Sequence, residues 1–179
     1  MKLKDISDAR AVGKGGYYAM QYGAFPPTVA RAAGVSLKVA KILFEANKQM
    51  NWSLEAIAKS HEVKRTSFGK YQKNLINGMY YHLKYDKDAV STSIQGTGSY
   101  ILDLWIMNIF KLRDKPEYNC DGLLLANIHD EIILEISMGY EEVAERLVRD
   151  ALTKVNESLK LEIPFDCDVQ FGNNYSEIH

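Results

Sequence analysis

The sequence predicts an α+β protein, a helical segment followed by part of an antiparallel sheet with helices packed on it, and three observations predict it. Leu123 to Ile128 and Ile132 to Ile136 are apolar runs of strand length, joined by His129, Asp130 and Glu131, and they read as an antiparallel hairpin. Tyr140 to Leu161 sets apolar Val143, Ala144, Leu147, Val148, Ala151, Leu152, Val155 and Leu159 against charged Glu141, Glu142, Glu145, Arg146 and Arg149, an amphipathic helix suited to cover that sheet. The first half carries helical patterning broken by Gly and Pro. With 179 residues, 46% of them apolar, the chain can bury a sizeable core.

Taken in order, the first informative segment runs from Asp8 to Gly23. Arg10, Lys14, Tyr18 and Tyr22 recur every four residues, so a helix would place them along one slowly turning stripe. Gly13, Gly15 and Gly16 oppose that helix, each by about 1 kcal/mol relative to Ala, so either partner contacts hold it or it flexes. Pro26-Pro27 is expected to end the first helix and Gly34 to break the next, after which Ser36 can cap a helix with Leu37, Val39, Ala40, Ile42, Leu43 and Ala46 on one wide face. Residues 53–83 read as helical and lysine-rich. Ser91 to Phe110 becomes apolar nearly all round after Gly98, the mark of a buried helix with Gln95 at its entrance. After the hairpin and the amphipathic helix, Pro164 is a stop, and Asp166 to Phe171 reads as one more short strand. There are no repeats or low-complexity segments.

Composition narrows the classes. Cys120 and Cys167 are far apart and lack metal-site spacing, so they read as reduced thiols of a cytoplasmic protein. The start, Met1 to Asp5, lacks the apolar core of a signal peptide, and no apolar run is long enough to span a membrane, so no membrane partner is expected. Residues 1–80 carry 13 Lys or Arg against 5 Asp or Glu, whereas residues 81–179 carry 9 against 18. Such asymmetry is either a solvated basic helical face or a first half built to meet a polyanion.

Three constellations carry chemistry. His129-Asp130-Glu131 crowds two carboxylates at a hairpin tip without a Gly or Asn-Gly turn signal; it is either a solvent-facing polar turn or a divalent-metal site whose cation offsets the crowding. The stripe of two cations and two rings suits a nucleotide, charges for phosphates and rings for sugar and base, although a loose turn at Gly13 to Gly16 would have no function. It is not a P-loop, because Asp8 stands where the pattern needs Gly and Gly15 where it needs Ser or Thr. Gln95 is either a cap or satisfied core group, or a ligand donor.

Together these blocks resemble the C-terminal portion of a family A DNA polymerase, the group of bacterial polymerase I and many phage enzymes. Arg10, Lys14, Tyr18, Tyr22 and Gly23 match the fingers-helix pattern, Gln95-Gly96-Thr97 the Gln-Gly-Thr block of the palm, and His129-Asp130-Glu131 the palm hairpin, while Gly172 to His179 is similar to the family's terminus. The resemblance implies a helical fingers segment over residues 1–83 and a partial palm over 84–179. It implies that Arg10 and Lys14 hold the triphosphate of a dNTP and that Tyr18 lies against its sugar, where Tyr is associated with dideoxynucleotide acceptance. Tyr22 and Gly23 would meet the template, Gln95 the minor groove of primer-template DNA, and Asp130 a pair of Mg²⁺ ions, with Glu131 and His129 supporting it near the primer end.

The departures matter too. The family's first metal aspartate lies in a strand well upstream of the fingers helix; Asp5-Ile6-Ser7 imitates its beginning, but the rest does not follow, and it reads as a decoy. The resemblance finds no counterpart of the thumb, the first palm strands or an exonuclease within these 179 residues, and they are expected to lie elsewhere. Ser91 stands where Asn is more usual. The chain therefore reads as one half of a split, phage-like polymerase, in host cytoplasm if phage-encoded, or as an expression fragment. Its expected partner is the N-terminal half, which supplies the other metal aspartate, and the isolated chain is expected to be inactive. The alternative is a non-catalytic remnant that binds DNA or a replisome protein. A stand-alone metal-dependent phosphodiesterase would need more His and Asp ligands than the chain offers.

Overall fold

The computed structural model describes residues 3–178, with side chains from Arg10 onward except those of Glu55 and Ala58, and the chain divides into two units, residues 1–97 and 98–179. In the first unit α1 (Leu3–Gln21), α2 (Pro26–Ala33) and α3 (Leu37–Met50) pack on one another. The glycines of α1 make this possible. A Cβ at Gly15 would lie 2.6 Å from the Ala32 carbonyl oxygen, and one at Gly16 would lie 3.4 Å from Ala33 Cβ and 3.8 Å from Val29 Cγ1. The propensity lost at these positions is thus offset by close contact with α2. Asp5-Ile6-Ser7 falls inside α1, and its side chains lie outside the described ones.

Gly23, not the prolines, ends α1. It adopts φ 71°, its N–H reaches Met20 O at 2.9 Å, and the N–H of Ala24 reaches Ala19 O at 2.9 Å, the paired bonds of a Schellman cap. Pro26-Pro27 instead opens α2, because the first helical turn has no use for the N–H that proline lacks. Gly34 caps α2 at φ 65°, and the Ser36 hydroxyl accepts the Val39 N–H to start α3, both as expected. Of the apolar face expected on α3, Ala40 is buried and Leu43 half-buried, whereas Leu37, Val39 and Ile42 stay exposed.

The helical reading of residues 53–83 is corrected. Only α4 (Trp52–Ser60) is helical; β1 (Val63–Thr66), β2 (Gly69–Lys73) and β3 (Tyr80–His82) follow as an antiparallel sheet in that order. The physical reason lies in its turns: Gly69 at φ 138° and Gly78 at φ 71° reverse the chain, and Asn77-Gly78 is a turn signal that outweighs the lysines. One sheet face meets the start of α5 (Ala89–Arg113). The Gln72 amide donates to Ala89 O at 2.9 Å, and the buried Asn74 amide donates to Ser93 O and Thr97 Oγ1, each at 3.0 Å, while Asn74 Oδ1 accepts the Ile76 N–H at 2.8 Å. Gln95 therefore stands within a helix that begins well before Gly98, not at its entrance.

In the second unit the rest of α5, the hairpin β4 (Gly122–Ile128) and β5 (Glu131–Ile136), and α6 (Glu141–Leu159) share one core. Ile109, Leu112, Leu147, Val148 and Ala151 form it, with Trp105, Ile132 and Leu134 packed against them. All six buried residues of α6 belong to its expected apolar set. Lys160, at φ 52°, ends α6 before Pro164 is reached. The strand expected over 166–171 does not form. Side chains of α6 hold this segment instead: Asn156 exchanges two hydrogen bonds with the Phe165 backbone at 2.8 and 2.9 Å, and Arg149 bonds Asp166 and the Cys167 carbonyl, each at 2.9 Å. Both cysteines are free, and burial pushes their thiols up. Among the described residues no helix is long and apolar enough to cross a membrane.

Candidate functional site

The stripe on α1 is real in the fold. Arg10, Lys14 and Tyr18 are exposed, whereas Gly16, which lies on the opposite side of the helix, is buried. The Lys14 ammonium lies 5.7 Å from the centre of the Tyr18 ring, which keeps charge and ring side by side. Among the described residues no carboxylate pairs with Arg10 or Lys14, so two cations face outward uncompensated.

At the end of the stripe the fold brings together residues distant in sequence. Tyr22 is exposed, and its phenol accepts a hydrogen bond from the Gln95 amide at 3.3 Å. Lys87 packs its aliphatic stem on Gly23, where a Cβ would lie 3.1 Å from Lys87 Cβ, and its ammonium donates to Tyr22 O at 3.3 Å. Gly23 is therefore demanded twice, by its φ and by Lys87. Sequence reasoning missed Lys87, since nothing in its local pattern announces a contact with α1.

The Gln95-Gly96-Thr97 block divides its labour. Gln95 is exposed. Gly96 admits the Tyr81 ring, since a Cβ there would lie 2.8 Å from Tyr81 Cζ, and the Tyr81 hydroxyl donates to Gly96 O at 3.2 Å. Thr97 accepts from Asn74. Two of the three residues thus fix the helix on the sheet, which aims the third. Ser91 turns its hydroxyl back onto Asp88 O at 3.0 Å.

In the second unit His129, Asp130 and Glu131 occupy the hairpin tip as expected. β4 and β5 pair from Gly122↔Ile136 to Ile128↔Glu131, with Leu125 bulged between Leu124↔Leu134 and Ala126↔Ile133. A bulge re-aims the strand beyond it, here the last turn before the tip. His129 turns the corner at φ 55°, a left-handed conformation that costs an ordinary side chain about 1–2 kcal/mol. Asp130 is exposed, with no hydrogen bond or ion pair to another described residue, and Glu131 is half-buried. Among the described residues no three His, Cys, Asp or Glu side chains gather closely enough to hold a metal ion.

The comparison with known proteins gives the class: the family model described as DNA polymerase family A matches residues 2–177, so the chain belongs to that family. Among individual relatives, the DNA polymerase I of Chloroflexus aurantiacus is 29% identical over 93 residues, 52% of this chain and 9% of that protein. Those of Mycobacterium bovis and Lactococcus lactis subsp. cremoris are each 28% identical, over 50% and 51% of this chain and 9% and 10% of their own lengths. The matched stretch is thus about a tenth of these relatives. The solved POL domain of Pol1 from M. smegmatis, in complex with DNA primer-template and dNTP, has the same fold over 88% of this chain and 29% of its own, with a TM-score of 0.68 at 19% identity.

Proposed function

We propose that this chain is the fingers and palm portion of a template-directed DNA polymerase, residues 1–83 serving as fingers and 84–179 as palm, which transfers a nucleotidyl group from a dNTP to a primer 3′-hydroxyl in the cytoplasm. The observation that carries the reading is the exposed Arg10, Lys14 and Tyr18 stripe ending at the Tyr22 and Gln95 pair, in a chain of this family.

Arg10 and Lys14 hold the triphosphate and stabilise the charge that builds on it during transfer. Tyr18 lies along the sugar and favours acceptance of dideoxynucleotides. Tyr22 and Gly23 face the template. The Gln95 amide spends one N–H on Tyr22 and offers the other to a minor-groove acceptor, a group that A·T and G·C pairs both present, so it senses pair shape rather than sequence. Asp130 offers the hard carboxylate oxygen that Mg²⁺ prefers, with His129 and Glu131 flanking it near the primer end. When bound, a pair of Mg²⁺ ions would activate the primer hydroxyl and neutralise the leaving pyrophosphate. One exposed carboxylate does not make such a site, so the second bridging aspartate comes from the N-terminal half, and the chain alone is inactive.

The test is primer extension with Mg²⁺ and dNTPs, using the chain alone, the chain mixed with its N-terminal half, and the mixture carrying Asp130→Asn. Extension only in the mixture, abolished by the substitution, is expected. A complex that forms but never extends a primer overturns the enzyme reading and leaves a nucleic-acid-binding remnant.

A further inference from the structure

The sheet of the first unit carries a surface that the proposed polymerase site does not use. Gln72 and Tyr81, directly opposite each other, turn toward α5. Alternation therefore turns Tyr71 and Lys73 to the other face, together with the residues opposite them: Lys64 and His82 flank Tyr71, and Tyr80 faces Lys73. The rings are organised. Tyr71 and His82 meet edge to face with centroids 5.6 Å apart, and the Lys64 ammonium sits 4.4 Å from the centre of the Tyr80 ring. Phe68 projects from the β1–β2 turn with 87% of its surface exposed.

The acid on this face is already engaged. Glu62 accepts the Tyr80 hydroxyl at 2.8 Å and lies 3.7 Å from Lys73 and 3.9 Å from Lys64, and the Tyr80 hydrogen bond holds its carboxyl below the usual range. Residues 62–86 add Arg65, Lys70 and Lys84 against Asp86, so the sheet and its margins carry five cations and two anions. Lysines interleaved with rings on an open sheet, Tyr80 and Phe68 exposed and Tyr71 half-buried, match an unpaired strand, whose phosphates meet the cations and whose bases stack on the rings. A duplex offers phosphates but hides its base faces, and an apolar protein partner would leave the lysines without purpose.

We propose that the outer face of β1, β2 and β3 is a binding platform for single-stranded DNA, through Lys64, Lys73, Tyr71, Tyr80 and Phe68. That the strand is the unpaired template ahead of the insertion site rests on the polymerase reading; binding itself does not. The test is fluorescence anisotropy of the full chain with labelled, unprimed oligo(dT), without Mg²⁺ or dNTPs. Lys64→Glu/Lys73→Glu should weaken binding about tenfold or more and lower the salt slope by about 1.4, the value for two phosphate contacts on a single strand. Phe68→Ser, at an exposed turn that cannot compromise the core, should weaken it about fivefold, and Lys38→Glu/Lys41→Glu on α3, an equal change of charge, should leave it within about twofold. Far-UV circular dichroism and thermal melting confirm that each variant folds. The proposal is overturned if the unaltered chain does not bind oligo(dT), if the α3 variant loses as much as the sheet variant, or if Phe68→Ser binds normally. Primer extension that fails while oligo(dT) binding persists overturns the polymerase reading alone.

Discussion

The Tyr22 phenol accepts a hydrogen bond from the Gln95 amide across 73 residues of sequence, at 3.3 Å, joining the end of α1 to the first part of α5. If the two act as a pair on the nascent base pair, Tyr22→Phe and Gln95→Ala should each lower extension efficiency by about tenfold, and the double variant should be no worse than the more damaged single one. Single-turnover extension by the chain mixed with the proposed N-terminal half measures this; losses that multiply would mean that the residues act independently.

The three glycines of α1 should answer differently to alanine. Gly13 has nothing within 4 Å of its missing Cβ, so Gly13→Ala should stabilise by about 0.5–1 kcal/mol. Gly16→Ala meets Ala33 at an ordinary distance and should be near neutral, while Gly15→Ala drives a methyl against the Ala32 carbonyl and should cost about 1–3 kcal/mol. Urea unfolding of the three variants gives the order.

Asn74 and Gly96 hold the sheet on α5. Asn74→Ala leaves the Ile76 and Asn77 amides and the Ser93 carbonyl short of a partner and should destabilise by about 2–3 kcal/mol. Gly96→Ala displaces the Tyr81 ring, and should shift the Tyr81 resonances in an NMR spectrum, whereas Gly98→Ala, with open space around it, should leave them in place.

At the hairpin tip His129→Gly removes left-handed strain and should stabilise the chain by about 1 kcal/mol. If His129 supports the primer end, the same variant should extend primers more slowly. Stability and rate moving in opposite directions would mark strain kept for function; a rate that follows stability would assign His129 to the turn alone.

Tyr118 donates its hydroxyl to Asp150, and this bond raises the phenol above its ordinary value near 10. The fold therefore favours the protonated phenol, so this stabilisation is complete below the ordinary phenol range and is lost as pH rises through the raised value. Unfolding followed from about pH 8 upward should show an alkaline decline that Tyr118→Phe reduces.

Much of this was legible because local chemistry dictates it. The Ser36 cap, the Gly34 stop, the apolar set of α6 and the two strand-length runs around His129-Asp130-Glu131 each depend on near neighbours, and the four-residue spacing of Arg10, Lys14 and Tyr18 fixes a shared face wherever a helix forms. The errors also have local causes. Lysines between Val63 and Lys73 masked short strands whose decisive signals were Gly69 and Asn77-Gly78, and the apolar alternation after Asp166 suggested a strand whose backbone Asn156 and Arg149 bind instead.

The sequence by itself determined which side chains of the stripe and the hairpin tip come to lie together, since periods of 3.6 and 2 are properties of the backbone. Only the tertiary structure decided that Gly15 and Gly16 seat α1 on α2, that Gly96 admits Tyr81, that Lys87 and Gln95 close on Tyr22, and that Tyr71, Tyr80 and Lys64 share an open face. These are contacts between segments distant in the chain, and their geometry follows from how helices and strands pack, which no local spacing encodes.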